Sequence, residues 1–307
     1  MKVSLYGAGQ LSNNVARILG TRASAKVSGP HGRDERDLAL RSGADVVVIA
    51  TTSFLREVAP DIRTALEAGS NVITSAEEAA YPWAVDPTLA DEVDAVARER
   101  GLTVLGCGLN PGFAFDALLL TAMGAAWDVE SIRVERVVDL SGFSSSVLRR
   151  IGVGYTREEF ESGKQSGLIT GHIGFPQSMS VVAGKLGVKL NKIDREIEPL
   201  ISDGALEARH MTVPPGYTGG FRQQYVGWTT GRPWFECFFT GHVYLQGIGL
   251  EPRDDMWIKG STPLHFSVDP GLNPQVSAPA LLANSLQRVV ESRPGWVTVA
   301  DLPPATP

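Results

Sequence analysis

Cysteine is nearly absent from this chain. Its 307 residues include two, Cys107 and Cys237, far apart and without a second thiol or histidine at metal-ligand spacing. That excludes a disulfide framework and a metal site of the paired-cysteine type, and points to reduced thiols in a cytoplasmic protein. Histidine is scarce as well, five in all, and no Ser-His-Asp context, His/Cys cluster or P-loop is present. No apolar run reaches the ~18 residues that a membrane span requires. The first strand follows the initial methionine at once, leaving no room for a signal peptide. Basic residues are outnumbered, 28 against 34 acidic, for a net charge of −6 and no basic block. Nucleic acid and anionic membranes are therefore not expected partners. Repeats are absent, and only the Pro-rich tail at residues 302–307 is of low complexity. The remainder is ordinary: 43% hydrophobic and 20% charged, a composition that fills the cores of two domains.

What is present begins at the N-terminus. Val3, Leu5 and Tyr6 read as a strand running into Gly7-Ala8-Gly9-Gln10-Leu11-Ser12, and Val15, Ala16, Ile18 and Leu19 follow at helical spacing. Strand, glycine turn and helix in that order form the first half of a dinucleotide-binding unit. Gly7 serves the tight turn, Gly9 the approach of the pyrophosphate, and the helix N-terminus offers free N–H groups and a positive dipole end. Ser12 stands where the fingerprint has Gly or Ala, and is small enough for helix–strand packing. Gly7, Gly9, Gln10, Leu11 and Ser12 are accordingly the first candidate cofactor ligands.

The second strand, residues 25–28, does not end on the acidic residue that binds a ribose 2′-hydroxyl. It runs into Gly29-Pro30-His31-Gly32-Arg33-Asp34. A basic residue there suits a 2′-phosphate, so NADP is the expected cofactor, with NAD as the alternative; Arg33 leads and His31 or Arg36 assists. Residues 45–50 are almost wholly β-branched and apolar, as in a parallel strand buried on both faces. Thr51, Thr52 and Ser53 sit at its carboxyl end, where ligands of open α/β sheets bind. A helix over 58–66, a strand over 71–74, a helix over 89–100 and a strand over 103–105 continue the rhythm. Asn110-Pro111-Gly112 then introduces a helix with Pro111 as its first residue, and Asn110 is a further candidate ligand. The pattern predicts an α/β fold with a Rossmann doubly wound parallel sheet over 1–115. Alternating runs after residue 116 predict a second α+β domain over 116–275, built on a mixed, largely antiparallel sheet. One apolar helix near 278–291 begins a segment, 276–307, that returns to the first domain.

Glu77 and Glu78 carry the most chemical information. Two carboxylates at a strand end within an apolar stretch are costly unless solvated or paired. One reading makes Glu78 a surface helix residue and Glu77 a partner of a helix N-terminal dipole. The other places one beside the hydride site, where it stabilises a cationic iminium carbon and moves the amine proton. At ~4 Å and an effective dielectric near 20 such a pair is worth roughly 4 kcal/mol. The same charge would oppose the alkoxide of a ketone reduction, so it argues for carbon–nitrogen chemistry. Glu77 falls earlier after the strand and is preferred as the catalytic group, with Glu78 as the alternative.

These residues also carry a resemblance. The glycine loop, Asn71-Val72-Ile73-Thr74 with Glu77-Glu78 and Tyr81-Pro82-Trp83, Gly106-Cys107-Gly108-Leu109-Asn110-Pro111-Gly112-Phe113, and residues 171–178 resemble the dihydrodipicolinate-reductase-like family. Within it they resemble the native amine dehydrogenases and 2,4-diaminopentanoate dehydrogenases. The resemblance implies a homodimer and an NAD(P)H-dependent oxidoreductase that aminates a small ketone or aldehyde with ammonia, its key glutamate falling on Glu77. The His-His motif of true dihydrodipicolinate reductases is missing, and His172 stands alone, which argues against that reaction. Phe143, His172, Phe175, Trp228, Trp234 and Phe235 are the candidate substrate pocket, mostly apolar and better suited to an aliphatic or cyclic carbonyl than to a diamino acid. A diamino-acid dehydrogenase and a non-catalytic NADP-binding sensor are the competing readings.

Overall fold

The computed structural model describes residues 1–307. Strand β1 (Lys2–Tyr6) runs into the glycine loop and α1 (Gln10–Gly20). There follow β2 (Lys26–His31), α2 (Arg36–Leu40), β3 (Val46–Ile49), α3 (Leu55–Glu67), β4 (Asn71–Thr74), α4 (Pro87–Arg100), β5 (Thr103–Gly106) and α5 (Ala117–Met123). The middle of the chain forms β6 (Val129–Asp139), α6 (Ser145–Arg150), α7 (Arg157–Ser166), α8 (Phe175–Lys185), β7 (Lys192–Ile201), β8 (Leu206–Ala208), β9 (Met211–Val213), β10 (Thr218–Thr229) and β11 (Arg232–His242). The last elements are β12 (Arg253–Gly260), β13 (Leu264–Val268), α9 (Pro274–Asn284), α10 (Leu286–Val290) and β14 (Gly295–Val297). Two compact units result. The first joins Met1–Ala122, Pro176–Val188 and Pro274–Pro307, and the second joins Met123–Phe175 and Lys189–Asn273.

The first unit holds a six-stranded parallel sheet in the order β14-β5-β4-β3-β1-β2. All four residues of β3 are buried, and the period-2 alternation of a strand divides them between two faces. Val47 and Ile49 pack with Leu55, Val58 and Ile62 of α3 and Val93 of α4. Val46 and Val48 pack with Val15 and Leu19 of α1, Val181 of α8, Leu282 of α9 and Val289 of α10. Helices on both faces of a parallel sheet are the doubly wound arrangement that the sequence pattern predicts. The crossover from β2 to β3 is abbreviated to a 3-10 turn and the five residues of α2.

Two expectations are corrected here. The single C-terminal helix is two helices, α9 and α10, parted at Ser285, whose hydroxyl donates back to the Leu281 carbonyl at 2.7 Å; such side-chain bonds compete with the helical ladder. Beyond them β14 adds an edge strand beside β5, three residues being too few to show a period in sequence. Pro111 is not a helix N1 residue. Its peptide bond to Asn110 is cis, a turn occupies residues 110–116, and α5 begins at Ala117.

The second unit holds a mixed sheet in the order β13-β12-β6-β11-β10-β7, in which only β6 and β11 run parallel. Ile132, Val134, Phe235, Cys237, Phe239, Phe221, Tyr225 and Met256 are buried. Arg133, Arg222 and Glu196, of opposite parity on their strands, are exposed. An ion pair lies in this interior: Arg136 meets Asp254 at 2.8 Å with side chains 3% and 1% exposed. Leu272 completes the clamp, its carbonyl accepting from Arg136 and its N–H donating to Asp254. Burial lowers the Arg136 pKa and raises that of Asp254, each opposed by its partner's charge. No helix in the chain is long and apolar enough to cross a membrane.

Candidate active site

The carboxyl ends of β1, β3, β4 and β5 bring the candidate residues of the first unit together on one edge of its sheet. At β1, Gly7 adopts φ +116°, its N–H donates to the His31 carbonyl at 2.9 Å, and a Cβ there would lie 2.3 Å from the Ala50 carbonyl oxygen. Only glycine fits. Gly9 caps α1 without a side-chain hydrogen bond, and no acidic residue enters the first turn. A Cβ on Gly9 would meet nothing within 4 Å. An uncapped helix N-terminus with open space before it fits a pyrophosphate, held by backbone N–H groups. Gln10 and Leu11 open the helix, and Ser12 is 1% exposed, packed inside as its size allows.

The turn after β2 sorts its three basic residues. Arg36 is fully engaged, with Asp61 at 2.7 Å, Asp37 at 3.1 Å and Thr64 at 3.2 Å. His31 is buried in the strand end, one ring nitrogen against Ser28 Oγ at 2.9 Å and the other against Glu35 at 3.3 Å. Arg33 is exposed. After β3, Thr51 is exposed, the Thr52 hydroxyl accepts from Phe54 N–H, and the Ser53 carbonyl accepts from Glu78 N–H at 3.1 Å.

That last bond ties β3 to the 3-10 turn Glu77–Ala80, which follows β4. The turn is held on every side. Thr74 Oγ1 accepts from Ala76 N–H at 3.1 Å, and the Trp296 indole donates to the Ala79 carbonyl at 3.1 Å. At Gly106, in β5, a Cβ would lie 2.2 Å from Ala79 backbone atoms, so the turn presses directly on a strand that must carry glycine there. Glu78 spends its carboxylate on Leu55 N–H, at 2.7 Å, the first residue of α3. The helix-terminus role expected of Glu77 is thus filled by Glu78, expected as a surface helix residue. Glu77 is half-buried on the same turn.

Asn110, 9% exposed, lies in the turn after β5. Asp116, fully buried, organises that turn by accepting from Gly112 N–H and Ala117 N–H, both at 2.7 Å, and from the Ser178 hydroxyl at 2.9 Å. Burial raises the Asp116 pKa, and those three donors work against the rise. Ser178 also lies 3.5 Å from Asn110 Oδ1. Cys107 is sealed beside Ser285, its thiol pKa pushed by burial up to about 12. It remains a thiol at neutral pH and is no nucleophile. Asp116, Ser178, Gly106 and Trp296 escape sequence reasoning because each acts through a partner distant in the chain.

In the second unit His172 stacks on Phe239 and tilts against Phe175, with centroids 5.3 Å and 4.8 Å apart. Its backbone is pinned, the N–H donating to Gln223 and the carbonyl accepting from the Tyr225 hydroxyl. Phe143 is partly exposed in the turn before α6. Trp234 and Phe235 meet edge-to-face in the interior, 2% and 0% exposed, whereas Trp228 is half-buried under Lys192. The structure thus clusters His172 with Phe175, and packs Trp234 against Phe235.

The family model described as the 2,4-diaminopentanoate dehydrogenase C-terminal domain matches residues 113–306. The 2,4-diaminopentanoate dehydrogenase of Acetoanaerobium sticklandii is 33% identical over 295 residues, 94% of this chain and 84% of that one. An amine dehydrogenase of Streptomyces virginiae is 25% identical over 96% of this chain and 85% of its own. Among solved structures, that of an amine dehydrogenase from Mycobacterium smegmatis covers 100% of this chain and 97% of its own, with TM-score 0.87 and 24% identity, a likeness of fold.

Proposed function

Because the chain belongs to the 2,4-diaminopentanoate dehydrogenase family, whose members are oxidoreductases on carbon–nitrogen bonds, we propose that it catalyses the NADP-dependent reductive amination of a small ketone or aldehyde with ammonia. The observation that carries this reading is the turn after β4. It sets two carboxylates at the strand end, Glu78 accepting from Leu55 N–H and Glu77 half-buried beside it, and we take Glu77 as the one that serves the chemistry. A carboxylate in that place lowers the energy of an iminium carbon and accepts or returns the amine proton, whereas it would raise that of an alkoxide. The bound nicotinamide would supply the hydride. The uncapped α1 and the glycine loop would hold the pyrophosphate, and Arg33, exposed beside β2, would take the 2′-phosphate.

Glu77→Gln tests the assignment. Amine oxidation and reductive amination should fall about 100-fold or more, while NADPH affinity stays within about threefold, as read by tryptophan quenching. Unchanged turnover would remove Glu77 from the chemistry. A diamino acid as substrate is the second reading, favoured by the 33% identity to 2,4-diaminopentanoate dehydrogenase. The aromatic cluster around His172 favours an apolar carbonyl instead. Cofactor oxidation measured with ammonia across ketones, aldehydes and keto acids decides between them. We further infer a homodimer in the cytoplasm, which light scattering tests by a mass of twice 32.9 kDa.

A further inference from the structure

One buried amide in the first unit lacks a donor for its oxygen. Gln177 is 4% exposed, and its Oε1 is sealed from solvent without a hydrogen-bond partner. A buried acceptor left unmatched is costly, and in a native fold it marks a place completed by something else. The helix spacing shows where this amide points. Gln177, Val181 and Gly184 fall at i, i+4 and i+7, one stripe of α8. Val181 packs into the cluster of Leu105 and Cys107 on the sheet, and Gly184 faces the Tyr81 hydroxyl. The stripe therefore lies on the sheet, and Gln177 is its last member toward the N-terminus of α8. The next residue, Ser178, reaches Asn110 and Asp116 in the turn beyond β5. The amide thus lies past the carboxyl end of β5, in the half of the sheet that does not carry the glycine loop. In a dinucleotide fold that half receives the nicotinamide.

We propose that Gln177 is a cofactor-binding residue whose side-chain amide pairs with the carboxamide of the nicotinamide ring. A primary carboxamide offers an N–H to Oε1 and a carbonyl to Nε2 at once, the complementary pattern for a glutamine. A protonated amine substrate offers donors only and would leave Nε2 unmatched.

The inference rests on the dehydrogenase reading above, and its test separates the two. Dissociation constants are measured by tryptophan quenching for NADPH, for its 3-acetylpyridine analogue, which has no N–H on the ring substituent, and for 2′,5′-ADP. The wild-type protein should bind NADPH about tenfold more tightly than the analogue. Gln177→Leu and Gln177→Met should bring that ratio near one, with 2′,5′-ADP binding, which reports an intact fold, unchanged. A wild-type ratio near one, a ratio that persists in both variants, or a loss confined to the KM of the amine overturns the proposal. Wild-type protein that binds no dinucleotide overturns the dehydrogenase reading with it.

Discussion

Successive residues of a 3-10 turn point about 120° apart, so Glu77 leaves the turn in another direction than Glu78, which reaches Leu55 N–H. Glu78→Ala removes the acceptor for Leu55 N–H and should cost about 1 kcal/mol. Thermal unfolding should fall by a few degrees, with kcat far less affected than in Glu77→Gln. The pair itself is legible in sequence, but the choice within it is not, because the deciding partner lies 23 positions away. The same holds for Arg33 and Arg36. Nothing local distinguishes them, and Asp61 and Thr64 claim the second. Arg33→Ala should raise the KM for NADP about tenfold and that for NAD little; equal effects would remove Arg33 from the 2′-phosphate site.

At the level of elements, the turn over 110–116 depends on a buried carboxylate. Asp116→Asn turns an NH2 group toward one of the donors that Asp116 now accepts from, and should cost about 1–3 kcal/mol at neutral pH. The sign of the pH effect follows from burial. A carboxyl whose folded pKa is raised above its usual 3.8 stabilises the fold fully below that value, and less as pH rises through the folded pKa. The deficit of Asp116→Asn should therefore narrow from pH 4 to pH 8, as compared by urea midpoints; a widening deficit would contradict the raised pKa. Strands such as β3 were plain in the sequence because burial on both faces demands continuous β-branched residues. The start of α5 was not, since Pro111 suits a helix N1 position and a turn equally well, and Asp116 settles the matter through Gly112 and Ala117.

For the whole molecule, the thiols report on integrity. Burial holds the Cys107 pKa at about 12 and that of Cys237 well above 9, one thiol in each unit. At pH 8 the native protein should react with a thiol reagent only as fast as it opens, and two thiols should appear at once in urea. Saturating NADPH at about 100 Kd should add roughly 2.7 kcal/mol of stability and slow that reaction. The alternation of strand and helix made the two-part architecture readable. The place of α8 in the first unit was not readable, because it is written in contacts between segments distant in the chain.

The edge position of β14 has a consequence for synthesis. β5 is complete at Gly106, yet the strand that covers its open side is residues 295–297. At 5–20 residues per second a ribosome takes roughly 10–40 s to deliver it. For that interval a nascent chain displays an uncovered parallel edge and the apolar faces awaiting α9 and α10, the kind of surface that recruits neighbouring chains. Yield of soluble protein should therefore track translation rate and chaperone supply more closely than the stability of the finished fold.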